Sequence, residues 1–179
     1  AGAIDPSFVP LFGGWPTQRG TVYALRDANL DNLRGIEMWV NVGRSSSVDE
    51  LADEQKVIGN PLFHTLAADR NGDAFYGEVS AIPNVSDDLL TECVSGVNAV
   101  VRSLTNDAII TLDGDRSSCQ WGEDPDAPEG SGLFGFNSLP SFFTTRYAAN
   151  SNDSYWLSDP QQPLEGFPST MGFVGHEGK

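Results

Sequence analysis

Two asparagines in alternation, Asn150 and Asn152, follow an aromatic run in Tyr147-Ala148-Ala149-Asn150-Ser151-Asn152-Asp153-Ser154-Tyr155-Trp156-Leu157. A carboxamide N–H fixed at the end of a strand can donate to the oxygen of a tetrahedral intermediate, where charge develops during acyl transfer. The same side chain can close an Asx turn, and the residue types alone favour that plainer role. The histidines are His64 and His176. No G-x-S-x-G elbow accompanies them, so a Ser-His-Asp triad is a poor reading, and His64 reads as a half-buried strand residue. Asp69, Asn71 and Asp73 alternate like the start of a calcium loop, but the glycine is out of place and the closing bidentate Glu is missing. Asp113, Asp115, Glu123, Asp124 and Asp126 could bind a hard cation, yet an acidic run in a loop is more often simply solvated. No metal site is expected. No G-x-G-x-x-G, P-loop or H-E-x-x-H run occurs, and no cofactor is expected. The two cysteines, Cys93 and Cys119, lack C-x-x-C spacing, which argues against structural zinc. A single disulfide between them is the preferred reading and implies a periplasmic or secreted setting; two buried thiols are the alternative.

These groups need elements to hold them. A stripe of Leu30, Leu33, Met38, Trp39 and Val42 predicts a helix over about 30–43. Ser47-Val48-Asp49-Glu50 fits a capping box opening a second helix over about 48–58, with Gly59 as its C′ residue and Pro61 beyond. Phe63–Asp69 and Ala74–Val79 read as strands joined at Asn71-Gly72, the strongest short hairpin signal, with positive φ expected at both residues. Residues 87–104 read as one helix and 108–112 as a short strand. Residues 113–137, dense in Gly, Pro and acids, read as a surface loop. A further strand is expected within 142–156. Residues 1–20 are an irregular lead-in with exposed apolar side chains, and 21–25 could begin either a strand or a helix.

The chain has 179 residues, a length that fits one domain or a piece of a larger one. With 25 acidic and 10 basic residues its net charge is −15, which disfavours nucleic acid and anionic membrane surfaces as partners. No apolar run reaches membrane-spanning length. Ten Phe, four Trp and four Tyr give enough apolar matter for a core. A stand-alone acidic binding module, secreted and non-catalytic, is one reading of this composition.

The segment AANSNDSYWLSDPQQPLEGF resembles the Ala-Asn-x-Asn region of the penicillin acylase family, in its acyl-homoserine lactone and aculeacin acylase branch. YALRDANLDNLRGIEMW, SSVDELADEQ, GNPLFHTLAADRNGDAFYGEVSAIPNV and LDGDRSSCQWGEDPDA resemble parts of that branch in the same order, so the likeness covers most of residues 20–179. The family consists of N-terminal nucleophile hydrolases, so the resemblance implies an α+β fold: part of a four-layer αββα sandwich with antiparallel sheets. It implies a precursor that cuts itself into two subunits, and a large subunit whose first residue, a serine, attacks an amide with its own α-amino group as base. It makes Asn152 the oxyanion-hole asparagine, and places Leu62 and Phe63 on the acyl pocket. This chain opens on Ala1, not Ser, so residues 21–179 are expected to be an interior stretch of the large subunit. Alone it is expected to be inactive. The small subunit and the N-terminal part of the large subunit are its expected partners, and an acyl amide is the expected substrate of the whole. An acylase-like fold that has lost activity is the remaining alternative.

Overall fold

The computed structural model describes residues 23–94, 96–104 and 109–172; the lead-in over 1–20 and His176 lie outside them. Two helices come first, α1 (Arg34–Val42) and α2 (Val48–Gln55), followed by the strands β1 (Thr65–Ala68) and β2 (Ala74–Gly77). Helices α3 (Asp87–Cys93) and α4 (Gly96–Leu104) precede the last strand, β3 (Ser141–Thr144). The strands form an antiparallel sheet in the order β1-β2-β3, so the chain is α+β as expected. Tyr23–Leu25 take no regular element.

Cross-strand pairing sorts the side chains, because alternate residues point to opposite faces. Ala67, Phe75 and Phe143 share one face; Leu66, Tyr76 and Phe142 share the other. On the first face Phe75 is fully buried in a core with Val48 and Ala52 of α2, Ile58, Leu133 and Leu139. Burying a side chain of that size contributes about 1.5–3 kcal/mol. On the second face Tyr76 packs in a smaller cluster with Tyr155 and Trp156.

The helices follow their local signals with corrections. Helix α1 begins four residues later than the stripe suggested, and of that stripe only Met38 is buried; Leu30 and Leu33 are exposed. At α2 the Ser47 hydroxyl accepts from the Glu50 amide at 3.2 Å, as the capping box requires. The reciprocal bond is displaced by one residue: the Glu50 carboxylate accepts from the Ser46 amide (2.7 Å) and hydroxyl (2.8 Å). The helix also stops at Gln55, and the left-handed residue is Ile58 (φ 50°), not Gly59. A buried β-branched residue there is strained. It is held by its core contacts and by the Arg34 guanidinium, which donates to the Val57 (2.9 Å) and Ile58 (3.3 Å) carbonyls. Gly59 serves a different need: its backbone crosses Gly35 so closely that a Cβ on either would lie 2.8–2.9 Å from the other strand of chain.

The hairpin forms where expected, with a three-residue loop in place of a two-residue one. Only Gly72 takes positive φ, and the Asp69 amide donates to the Asp73 carbonyl at 2.9 Å. The Asp69 carboxylate accepts from the amides of Asn71 (2.8 Å), Asp73 (3.3 Å) and Val48 (3.4 Å), so it shapes the turn and joins it to the start of α2. The region 87–104 is two helices, because the chain turns extended at Val94 and Gly96 is left-handed. Ile110–Leu112 are not a strand; among the described residues no neighbouring strand pairs with them. The loop over 113–137 is closed at its base by Asn84 and Ile82, whose backbones bond Gly132 and Phe134. Cys93, at the end of α3, is joined to Cys119 by a disulfide, with both sulfurs buried. The disulfide is therefore present, and two free thiols are excluded.

Candidate functional site

Strand β3 runs out into the turn that carries Asn150 and Asn152. The base of this turn is tightly held: Arg146 donates to the Asp159 carboxylate at 2.6 Å, and the Ala149 amide donates to the Ser158 carbonyl at 3.1 Å. Asp159 is buried, so this ion pair is shielded from water on one side. Within the turn the two asparagines divide the work. The Asn150 carboxamide closes the loop, accepting from the Asn152 amide (2.8 Å) and donating to the Asp153 carbonyl (2.9 Å). Asn152 sits at φ 62°, a conformation that asparagine tolerates better than other side-chain-bearing residues. Its side chain is exposed, and among the described residues its carboxamide meets no hydrogen-bond partner. The turn-cap role therefore falls to Asn150, and the Asn152 donor is uncommitted among the described residues.

Leu62 and Phe63 lie just before β1, 70% and 53% exposed. The Phe63 ring meets Trp39 of α1 edge-on, with centroids 6.4 Å apart. Three large apolar side chains thus form an outward-facing rim on one edge of the molecule. Since β1 and β3 are the outer strands, the rim precedes one edge of the sheet and the chain leading to the Asn152 turn leaves from the other. Between them lies an aromatic run. His64 follows Phe63 and stacks on Tyr76, its Nδ1 3.0 Å from the tyrosine hydroxyl. Tyr76 shares its cluster with Tyr155, three residues after Asn152. Burial pulls the His64 pKa below its ordinary value, so the ring is neutral at pH 7 and bonds Tyr76 as a fixed strut. Of the carboxylates considered for cation binding, Asp124 accepts from the Gly135 amide (3.0 Å) and Ser138 hydroxyl (2.7 Å), and Asp113 pairs with Arg116 at 2.9 Å.

Pattern reading missed Glu78. It follows β2 as an acid in an apolar alternation, and that was the only signal for it. Its Oε2 is buried with no hydrogen-bond partner among the described residues, and burial pushes its pKa up to about 7. Tyr76 and Tyr155 face it, and its charge raises the pKa of both further, after burial; His64 stands behind Tyr76. The unfolded chain ionises this carboxyl near 4.5, the folded chain near 7. Folding is therefore favoured by its proton: the penalty from this group is absent below pH 4.5, grows as pH rises toward 7, and is complete above it. The penalty at pH 8 is about 3 kcal/mol. Glu78→Gln should be more stable than the parent chain at pH 8 by up to that amount and indistinguishable at pH 4, by denaturant titration. An unchanged difference across that range would show that Glu78 does not titrate as its burial requires.

The penicillin amidase family profile matches residues 10–174. The aculeacin-A acylase of Actinoplanes utahensis is 38% identical over 155 residues, 85% of this chain and 19% of that protein. The acyl-homoserine lactone acylase PvdQ of Pseudomonas fluorescens is similar: 40% identity for strain Pf0-1 and 41% for strain Pf-5, each over 81% of this chain and 18% of that protein. The chain thus spans about a fifth of the length of these relatives. The profile covers most of the sequence and these relatives agree with it, so the chain belongs to the penicillin amidase family.

Proposed function

We propose that these 179 residues are a large-subunit segment of an amide-hydrolysing acylase and carry one of its oxyanion donors, Asn152. The observation that carries the reading is the Asn152 carboxamide, without a partner among the described residues, at the tip of a turn braced by Asn150 and by the Arg146–Asp159 pair. The span of about a fifth of the relatives' length leaves room for the nucleophile elsewhere in the parent. In the proposed reaction an N-terminal serine from that remainder attacks the substrate carbonyl, and its own α-amino group takes the hydroxyl proton. The carbonyl π electrons move to oxygen, and the Asn152 N–H donates to that oxyanion. Collapse expels the amine, which leaves with the proton. Water then attacks the acyl ester and restores the serine. Leu62 and Phe63 line the acyl chain, as outward apolar side chains suit a hydrocarbon tail. The sheet β1-β2-β3 with α2 packed on it is read as part of two layers of an αββα sandwich completed by the rest of the parent. The Cys93–Cys119 disulfide supports a periplasmic or secreted setting.

The test is hydrolysis of an N-acyl-homoserine lactone, an acylated lipopeptide and an acylated β-lactam by the assembled parent and by the 179-residue chain. Cleavage of at least one by the parent and none by the chain is expected. A parent inert toward all three overturns the reading; turnover by the chain alone overturns the placement of the nucleophile.

A further inference from the structure

The segment 57–63 is fastened far more firmly than a surface loop needs. Its carbonyls are taken one after another by side chains: Val57 and Ile58 by Arg34, Gly59 by Asn32 (3.0 Å) and Pro61 by Asn29 (3.2 Å). At the centre stands Asn60, 1% exposed. Its carboxamide oxygen accepts from the amides of Leu62 (3.3 Å) and Phe63 (3.0 Å), and its nitrogen donates to the Phe63 carbonyl. Its own carbonyl accepts from the Ala81 amide at 2.9 Å, which ties the turn to the chain beyond β2. This whole array ends in two large apolar side chains turned outward, with Trp39 against one of them. Exposed apolar side chains gain nothing from being immobilised in the free protein. They gain when a ligand arrives, because the ordering cost has already been met.

We propose that Asn60 is a positioning residue that sets acyl-chain preference by holding Leu62 and Phe63 in their outward poses. The proposal rests on the acylase reading above. Asn60 touches no reacting atom, so its loss should weaken binding of the tail and leave chemistry at the carbonyl alone. A long acyl chain reaches the rim and a two-carbon acyl group does not, so the defect should depend on chain length.

The experiment is kcat and KM for acyl amides from acetyl to dodecanoyl, measured on the assembled parent carrying Asn60→Ala, Asn60→Asp or Ser86→Ala. Asn60→Ala should lose about 10- to 100-fold in kcat/KM for dodecanoyl substrate, mostly through KM, and less than about threefold for acetyl. Asn60→Asp keeps the oxygen that accepts from Leu62 and Phe63 but loses the N–H that donates to the Phe63 carbonyl, and should recover part of the long-chain preference. It also serves if the alanine variant fails to fold. Ser86→Ala removes only the cap of α3, whose hydroxyl accepts from Leu89, and should lower stability with no change in chain-length preference. Equal losses at every chain length in Asn60→Ala, no loss at all, or a folded Asn60→Asp without recovery would overturn the proposal. An inactive wild-type parent would instead strike the acylase reading itself, so the two failures are distinguishable.

Discussion

Replacing Asn152, the proposed oxyanion donor, by alanine in the proposed parent acylase should lower kcat by about 100- to 1,000-fold and leave KM nearly unchanged. The split follows from timing: a ground-state carbonyl oxygen gains little from the donor, whereas the oxyanion gains a charge-assisted bond. The fold should survive. The Asn152 side chain is exposed and makes no bond within the described residues, so the structural cost is that of alanine at φ 62°, about 1 kcal/mol. Asn150→Ala is the informative contrast. It removes the bonds to the Asn152 amide and the Asp153 carbonyl and should loosen the turn, lowering both stability and turnover. If Asn152→Ala retains kcat within a few-fold of wild type, Asn152 is a turn residue and no oxyanion donor.

Cleaving the Cys93–Cys119 bond should cost roughly 3–4 kcal/mol, the loop-closure entropy of a cross-link spanning 26 residues. Opposing bonds soften the loss only slightly. Arg116 donates to the Glu92 carbonyl and the Asp113 amide donates to the Cys93 carbonyl at 2.8 Å, so the loop keeps some contact with α3 after reduction. The measurement is the denaturant midpoint of the 179-residue chain with and without reductant, with the Cys93→Ala/Cys119→Ala double variant as control. Both should unfold at the same, lower midpoint. Coincident curves for oxidised and reduced chain would mean that α3 and the loop are held by packing alone.

What the sequence made legible was local and redundant. Ser47 and Glu50 announce a helix start, Asn71-Gly72 a hairpin and the lone cysteine pair a bridge, each within a few residues of where it forms. What stayed hidden depended on contacts made elsewhere. Periodicity over 87–104 is helical on both sides of Gly96, and only the observed backbone shows the break. The apolar run ending at Leu112 looks like a strand but has no described neighbour to pair with. Residue types could not separate Asn150 from Asn152, since the division of roles rests on which of them the backbone turns into the left-handed region. Glu78 comes within electrostatic reach of residues as distant in sequence as Tyr155. Its environment therefore exists only once β2 and the segment after β3 have met.

The crossing of Gly35 and Gly59 governs how this stretch of gene can change length. Each residue inserted or deleted within α1 or α2 rotates the rest of that helix by about 100°. Either α1 and α2 keep their buried faces, and a side chain is driven into a gap with no room for a Cβ, or the glycines stay and polar faces turn inward. The two helices are thus fixed in length. The surface loop around Gly130, where a Cβ would meet nothing within 4 Å, is by contrast a place where the chain has room to lengthen.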